Sequence, residues 1–244
     1  MNQMSTIFSA NHINLYLTPE NDPFDINTAT IKKYWDSDPL VQCGKVFNGK
    51  ILNLLGFYHQ NDSLEIHCTC VDFKDFYISR KQPKLQLPIQ PLGISGIIIG
   101  YDNEIPYTYI AKRSFNVAHY AGFYELVPSG HLDDKNTLSN NKVDYKEKLL
   151  EEFEEETNLS RAHVTEIQEF GFIYDKTLDV YDIACKMTLS LTRPQLDQTQ
   201  IPLDEYTSSF TITEQDLPSF LRKHDANIIP TSKALIELGF PYSI

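Results

Sequence analysis

A cluster of glutamates lies within a stretch that has the pattern of a helix, and this combination limits how the chain can fold. Over residues 143–157, Glu152, Glu155 and Glu156 stand three and four positions apart, which places them on one helix face. Like charges at that spacing destabilise an isolated helix, so another group must offset them. About a third of a turn away, at about 100° per residue, lie the apolar residues Leu149, Leu150 and Phe153. The pattern predicts a helix that packs its apolar side on a sheet and turns its carboxylates toward a cleft.

Hard divalent cations suit such a carboxylate face. Mg²⁺ binds carboxylate oxygens and keeps waters that a phosphate can replace, and Mn²⁺ is the alternative. From these residues alone, a solvated acidic face over residues 147–156 is the competing interpretation. The residues upstream of the helix decide between the two.

Composition favours a cytoplasmic protein that acts on a small molecule. With 244 residues, 41% of them hydrophobic, the chain can form one large domain or a domain with a smaller partner. A net charge of −12 argues against binding to nucleic acid, whose phosphates attract cations. The four cysteines have neither a zinc-ligand spacing nor the density of a disulfide scaffold. We also expect no membrane association, since no window approaches about 18 apolar residues and the first residues lack a leader pattern.

Alternation of apolar and polar residues predicts an α+β chain in two parts. Prolines between residues 82 and 91 mark the predicted boundary, so that residues 1–91 form an N-terminal α/β extension and residues 92–244 a second domain. The predicted strands are 12–17, 45–57, 63–71, 93–100, 106–112, 164–174, 180–191 and 208–212. The predicted helices are 31–36, the acidic helix 143–157, and one capped by Thr213.

Gly130 and the acidic helix together resemble the Nudix box. Its pattern is Gly, five residues, Glu, seven residues, then Arg-Glu-apolar-x-Glu-Glu-x-Gly-apolar. Gly130 would open the box and residues 152–159 would close it, with Glu152, Glu155 and Glu156 at the family's metal-binding glutamates.

The box departs from the family pattern at several points. Glu151 stands where the family has arginine, Asn158 where it has glycine and Val143 where it has the first glutamate, and the loop is about seven residues longer. Asn158 is the mildest change, because asparagine adopts the left-handed conformation at helix ends. Glu151 removes a salt bridge that supports the catalytic loop, so we expect it to affect rate more than metal binding.

Short matches outside the box are similar to the UDP-glucose diphosphatase branch of the Nudix family, which has an N-terminal extension and an irregular box. They are residues 47–50, 72–76, 91–93, 112–114 with Val117, Gly122 and residues 128–131, and the likeness covers roughly residues 34–192. The resemblance implies a Nudix α/β/α sandwich, a mixed sheet between helices. It also implies Mg²⁺-dependent hydrolysis of a nucleotide sugar such as UDP-glucose to a nucleoside monophosphate and a sugar phosphate. Two alternatives stay open: an ADP-ribose pyrophosphatase, or a catalytically weak module that binds a nucleotide sugar or regulates a partner.

The resemblance also implies a metal site and its chemistry. Glu152, Glu155 and Glu156 would bind the metal and carry the catalysis, with the Gly130 carbonyl as a further ligand. Glu156 or Glu152 would accept the proton of the attacking water. Asp179 and Asp182 on the later strand are weaker candidates for this base.

Substrate contacts are expected from five residues. Arg113 could bind a phosphate with its guanidinium fork, although it is also simply an arginine at a strand end. Phe47 and Asn48 are candidates for a base pocket, although Asn-Gly is also a common turn. His131 either contacts a phosphate or caps its loop, and Arg80 either meets the nucleotide or is solvated. The N-terminal extension would complete this pocket or form a homodimer contact.

Overall fold

A computed structural model of the chain describes residues 5–18, 28–85, 87–117, 119–199, 201 and 205–240. The strands are β1 (Ser5–Phe8), β2 (His12–Leu17), β3 (Lys50–Gln60), β4 (Ser63–Asp72), β5 (Leu92–Asp102), β6 (Ile105–Arg113), β7 (Tyr124–Leu126), β8 (Ser129–His131), β9 (Val164–Asp175), β10 (Val180–Leu189) and β11 (Tyr206–Thr213). The helices are α1 (Thr28–Asp36), α2 (Pro39–Gln42), α3 (Phe73–Lys81), α4 (Tyr145–Thr157), α5 (Arg193–Asp197), α6 (Leu217–His224) and α7 (Pro230–Gly239). In these ranges, no helix has both the length and the apolar character needed to span a bilayer.

A large mixed sheet forms the centre of the fold. Over the described residues it has eight strands in the order β1-β9-β10-β5-β6-β11, with β7 beside β6 and β8 beside β5. Strands β5 and β6 pair with each other only near their shared hairpin, from Ile99 opposite Thr108 to Asp102 opposite Ile105. Beyond that point β5 pairs with β8 and β6 pairs with β7. The sheet therefore opens into a fork, with β7 and β8 along its inner edges.

Helices cover both faces of the large sheet. Ile94 and Ile98 of β5 share a core with α4, whereas Ile97 and Ile99 share a core with α7. This alternation follows from the two-residue period of a strand. The smaller sheet, in the order β2-β4-β3, packs on the same face as α4. The predicted α+β class, with a mixed sheet between helices, is confirmed.

The first 91 residues contact the rest of the chain through β-structure. Strand β1 pairs with β9 in the large sheet, with Ser5 opposite Asp175. In the small sheet, the Leu52 amide donates to the Leu132 carbonyl at 2.8 Å, and the Leu15 carbonyl accepts from the Val143 amide at 2.9 Å. A division of the chain at residue 91 stays a prediction.

Helix α4 has the ends that its sequence encodes. The Asp144 carboxylate accepts from the Glu147 amide at 3.2 Å and caps the first turn. Asn158 ends the helix in the left-handed region, with φ of 56°, as expected from its position in the box. The predicted helix 143–157 is thus confirmed with a start two residues later.

The remaining elements mostly agree with the strand pattern, with some errors. The strand predicted from residue 45 begins at Lys50, and helices α3 and α7 were not predicted. The helix predicted to be capped by Thr213 is wrong in its start. Thr213 belongs to β11, and its hydroxyl donates to the Asp216 carboxylate at 2.7 Å in a turn that precedes α6.

The buried side of α4 supplies a test of the fold. Phe153 is fully buried, so Phe153→Ala should lower the free energy of unfolding by about 3–5 kcal/mol through lost transfer energy and a cavity. Urea unfolding measures this change. Leu138→Ala is the control, because Leu138 is 50% exposed and its loss should change stability by no more than about 0.5 kcal/mol. Equal effects of the two changes would contradict the packing described for α4.

Candidate functional site

Strand β8 brings Gly130 into contact with α4. Gly130 pairs with Ile94 of β5, and a Cβ built on it would overlap the carboxylate of Glu152. Any side chain at this position would force Glu152 to move. Gly130 and Glu152, which are 22 positions apart in the sequence, are therefore neighbours in space.

The Glu152 carboxylate forms an ion pair within α4. Lys148 Nζ lies 2.8 Å from Glu152 Oε1 and 3.6 Å from Glu151 Oε2. Burial raises the pKa of Glu152, and the bond from Lys148 opposes that shift. Burial alone would lower the pKa of Lys148, but its bond to Glu152 and the nearby charge of Asp133 leave that pKa raised. Lys148 is therefore a charged ammonium group.

Glu156 lies deeper than Glu152, at the end of α4. Its Oε2 accepts from the Ser129 amide at 2.9 Å and its Oε1 accepts from the Tyr206 hydroxyl at 2.7 Å. Burial raises its pKa well above the usual range, and the nearby carboxylate of Glu125 raises it further. Burial and the neighbouring carboxylate thus favour the protonated form of Glu156 in the folded protein.

Glu125 on β7 is a functional candidate that the sequence interpretation missed. Its side chain is buried, accepts from the Ser129 hydroxyl at 3.0 Å and forms an ion pair with Arg113. The Tyr206 hydroxyl lies 3.3 Å from its second oxygen, so this hydroxyl is shared between Glu125 and Glu156. The sequence could have indicated Glu125, because a glutamate stands in a short strand just before Gly130. Nothing in the sequence distinguished Tyr206 from the other tyrosines.

The structure brings some of the proposed metal ligands together and not others. Glu155 is exposed, whereas Glu152 and Glu156 are each bonded to other protein groups. Within the described ranges, no three His, Cys, Asp or Glu side chains converge on a point that could hold a metal. The donor types nevertheless suit a hard cation, because the Glu152 carboxylate lies directly beside the Gly130 backbone.

The departures from the family box have structural counterparts. Val143, at the position of the first family glutamate, is buried, and its amide bonds to Leu15 of β2. The long loop before α4 thus ends in a contact with the N-terminal extension and supplies no carboxylate there. Glu151, at the arginine position, accepts from the Asn136 side chain at 3.3 Å.

Arg113 and His131 lie near the glutamates. Arg113 is paired with the buried Glu125 and donates to the His119 carbonyl at 3.3 Å. His131 follows Gly130, and its ring lies 5.8 Å from the Phe73 ring. Their contacts with a substrate stay predictions.

Arg80 is linked to the His131 side of the fold through Phe76. The Arg80 guanidinium lies 5.1 Å from the Phe76 ring, whose centre is 6.2 Å from the His131 ring. Arg80 also donates to the Ile89 carbonyl at 2.8 Å and pairs with Asp179 at 3.1 Å. It is therefore held by the protein and is not a freely solvated side chain.

Phe47 and Asn48 lie beside the groove between α1 and α3. Phe47 is 82% exposed, and the Asn48 side chain accepts from the Lys74 amide at 2.9 Å. The groove has a volume of 430 Å³ and is lined by Thr28, Ala29, Lys32, Trp35, Asp36, Asn48 and Lys74. No bond links Phe47 or Asn48 to the α4 glutamates among the contacts of the described residues.

The two candidate bases on the later strand have different surroundings. Asp179 accepts from the Tyr174 hydroxyl at 2.8 Å in addition to its pair with Arg80. Asp182 accepts from the Ser95 hydroxyl at 3.2 Å and bonds to Thr231 of α7, and burial raises its pKa to about 7. These bonds place Asp182 on the α7 side of the sheet, whereas Glu152 lies on the α4 side.

Comparison with solved structures finds similar folds at low sequence identity. The Nudix domain of Shewanella oneidensis NrtR, complexed with ADP ribose, has 16% identity and a TM-score of 0.42, and the match covers 65% of this chain and 96% of that one. A bifunctional NMN adenylyltransferase/ADP ribose pyrophosphatase from Francisella tularensis has 14% identity and a TM-score of 0.46, over 70% of this chain and 46% of that one. A C. elegans Ap4A hydrolase has 14% identity and a TM-score of 0.36, over 62% and 99%. No family model and no curated protein matches the sequence. At these scores, the similarity does not by itself assign a family.

The buried Arg113–Glu125 pair supplies a stability test. Arg113→Met should lower the free energy of unfolding by about 3–5 kcal/mol, because it leaves the Glu125 carboxylate buried without its cation. The double change Arg113→Met, Glu125→Gln should recover much of that loss. Urea unfolding at pH 7 measures both, and a double variant no more stable than the single one would contradict the pairing.

The raised pKa of Glu156 predicts a stability change with pH. The folded protein binds this proton more tightly than the unfolded chain, so ionisation of Glu156 costs stability as pH rises from the unfolded pKa toward the folded one. With divalent cations removed, Glu156→Gln should therefore melt higher than the wild type at pH 8, and the difference should shrink toward pH 4. A gain of about 1 kcal/mol corresponds to roughly 2–4 °C for a chain of this size. Circular dichroism measures the melting temperatures. A variant that melts below the wild type at pH 8 would contradict the raised pKa of Glu156.

Proposed function

We propose that the protein is a Nudix-type hydrolase that cleaves a nucleoside diphosphate linked to another group. The observation that carries this proposal is the contact between Gly130 and Glu152, one turn from the buried Glu156. The resemblance to the Nudix box predicts that Gly130 and Glu152 lie close together. The residues that surround each of them in the sequence do not predict it. A merely solvated acidic face would leave these carboxylates exposed.

Mg²⁺, or Mn²⁺ in its place, would be held by Glu152, Glu155, Glu156 and the Gly130 carbonyl. When bound, the cation would offset the diphosphate charge and lower the pKa of a bound water. Ser129 and Tyr206 orient the Glu156 carboxylate by donating to its two oxygens. Glu156, whose two oxygens are held by these donors, is the first candidate for the proton acceptor, and Glu152 is the second.

The proposed substrate is a nucleotide sugar such as UDP-glucose, with ADP-ribose as an equal candidate. His131 and Arg80 lie against Phe73 and Phe76, so a phosphate and an apolar sugar or base face could be bound next to Gly130. Phe47 and Asn48 are proposed to contact the base from the N-terminal extension. A cytoplasmic location and a homodimer contact through residues 1–91 remain predictions. Light scattering would test the homodimer by measuring the molecular mass in solution.

A substrate screen with matched variants tests the enzyme proposal. Released monophosphate is measured with UDP-glucose, other UDP-sugars, ADP-ribose and Ap4A in the presence of Mg²⁺ or Mn²⁺. Glu152→Gln, Glu155→Gln and Glu156→Gln should each lower the rate by roughly 10²-fold or more, the cost of removing one group that stabilises transition-state charge.

Glu147→Gln is the matched control for these changes. Glu147 lies on the same helix, but its carboxylate is half exposed and pairs with Arg161 at 2.5 Å. It should retain the wild-type rate. Wild-type rates in the three site variants, or an equal loss in the control, would rule out the assigned roles.

A second function, a catalytically weak binding module, is favoured by one observation. Glu152 is paired with Lys148, so a metal would meet a carboxylate that is already partly neutralised. This function predicts that UDP-glucose or ADP-ribose raises the melting temperature without being hydrolysed. Turnover in the same screen would exclude it.

A further inference from the structure

Lys148 occupies an unusual place among the lysines of the described chain. Its Nζ lies 2.8 Å from Glu152 Oε1, and the side chains of Lys148 and Glu152 are only 13% and 15% exposed. Lys146, on the same helix, is 38% exposed in its pair with Glu169. Lys148 is therefore largely withdrawn from water, which a lysine tolerates only with a close counter-ion.

The Lys148 ammonium group lies among carboxylates whose charge a bound metal would otherwise balance. Glu151 Oε2 lies 3.6 Å away, and the carboxylate of Asp133 acts on Lys148 from the loop after Gly130. The carboxylate that binds Lys148 is also the one against Gly130. A cation supplied by the chain itself thus stands at the first glutamate of the proposed metal site.

We propose that Lys148 is a tethered cation that occupies Glu152 in the metal-free protein and competes there with the divalent cation. This inference rests on the proposed function of Glu152 as a metal ligand. A divalent cation on the Glu152 carboxylate would stand close to the ammonium group bound at Oε1, and like charges at short range repel, so we expect metal binding to displace Lys148. The pair holds the Glu152 carboxylate in place before the metal arrives, and it lowers the affinity for the metal.

Metal binding by lysine variants, measured without substrate, tests this role. Mn²⁺ is titrated into the full-length protein and free Mn²⁺ is followed by electron paramagnetic resonance. Lys148→Met keeps the apolar stem and removes the charge, and Lys148→Gln is a second variant in case the first fails to fold. Both should bind Mn²⁺ at least tenfold more tightly than the wild type, which corresponds to about 1.4 kcal/mol.

The control variant is Lys146→Met, which removes a lysine from the same helix and leaves the Glu152 pair intact. Its Mn²⁺ affinity should equal that of the wild type. In a Glu152→Gln background, Lys148→Met should no longer increase the affinity, because the shared carboxylate is gone. A non-specific effect of net charge would instead appear equally at Lys146.

Melting temperature provides a readout independent of metal titration. In a chelator, Lys148→Met should melt below the wild type, because Glu152 loses its counter-ion, and Mn²⁺ should then raise its melting temperature more than that of the wild type.

The outcomes separate this inference from the proposed function. If the wild type binds Mn²⁺ through Glu152 and the Lys148 variants bind no more tightly, the competition is refuted while the metal site stands. If none of the variants binds Mn²⁺, the proposed metal site fails and the inference fails with it.

Discussion

Close contact between α4 and the strands beneath it is the constraint on which the site depends. Two glycines permit it. A Cβ on Gly96 would lie 3.0 Å from Pro128 and 3.3 Å from Leu149, and one on Gly130 would overlap Glu152. Because these positions have no side chain, Leu149 can seat the helix while Glu152 approaches the β8 backbone. A side chain at Gly130 would displace the Glu152 carboxylate, and one at Gly96 would press on Pro128 and Leu149.

Three carboxyl groups are withdrawn from water around α4, and cations compensate only some of them. Glu125, Glu152 and Glu156 are each wholly or mostly removed from water, and Arg113 and Lys148 are the cations that pair with two of them. Among the described residues, the donors to Glu156 are neutral, namely the Ser129 amide and the Tyr206 hydroxyl. Burial of a carboxyl group with a strongly raised pKa costs stability, and such groups concentrate at functional sites.

Local patterns allowed much of the fold to be predicted. Strand β2 has the bounds expected from its alternation, and α4 ends at Asn158 because asparagine tolerates a positive φ. Patterns failed where an element was short or its burial was not one-sided. Helix α3 buries five consecutive residues, 75–79, so its sequence lacks an apolar stripe of helical period. Thr213 has the residue type of a helix cap, but its hydroxyl bonds to Asp216 in a turn that precedes the helix. The pair of Lys148 with Glu152 was within reach of the sequence, since it joins positions four apart on one helix.

The sequence by itself determined the acidic face of α4, its two ends and the alternation that places strands on either side of it, because these depend on neighbours within a few residues. The tertiary structure alone decided which carboxylates are buried and what they meet. Glu156 reaches Ser129 and Tyr206, and Arg113 meets Glu125, only because the fork in the sheet brings β6, β7, β8 and β11 to the end of α4. Such contacts join residues far apart along the chain, and no local periodicity encodes them.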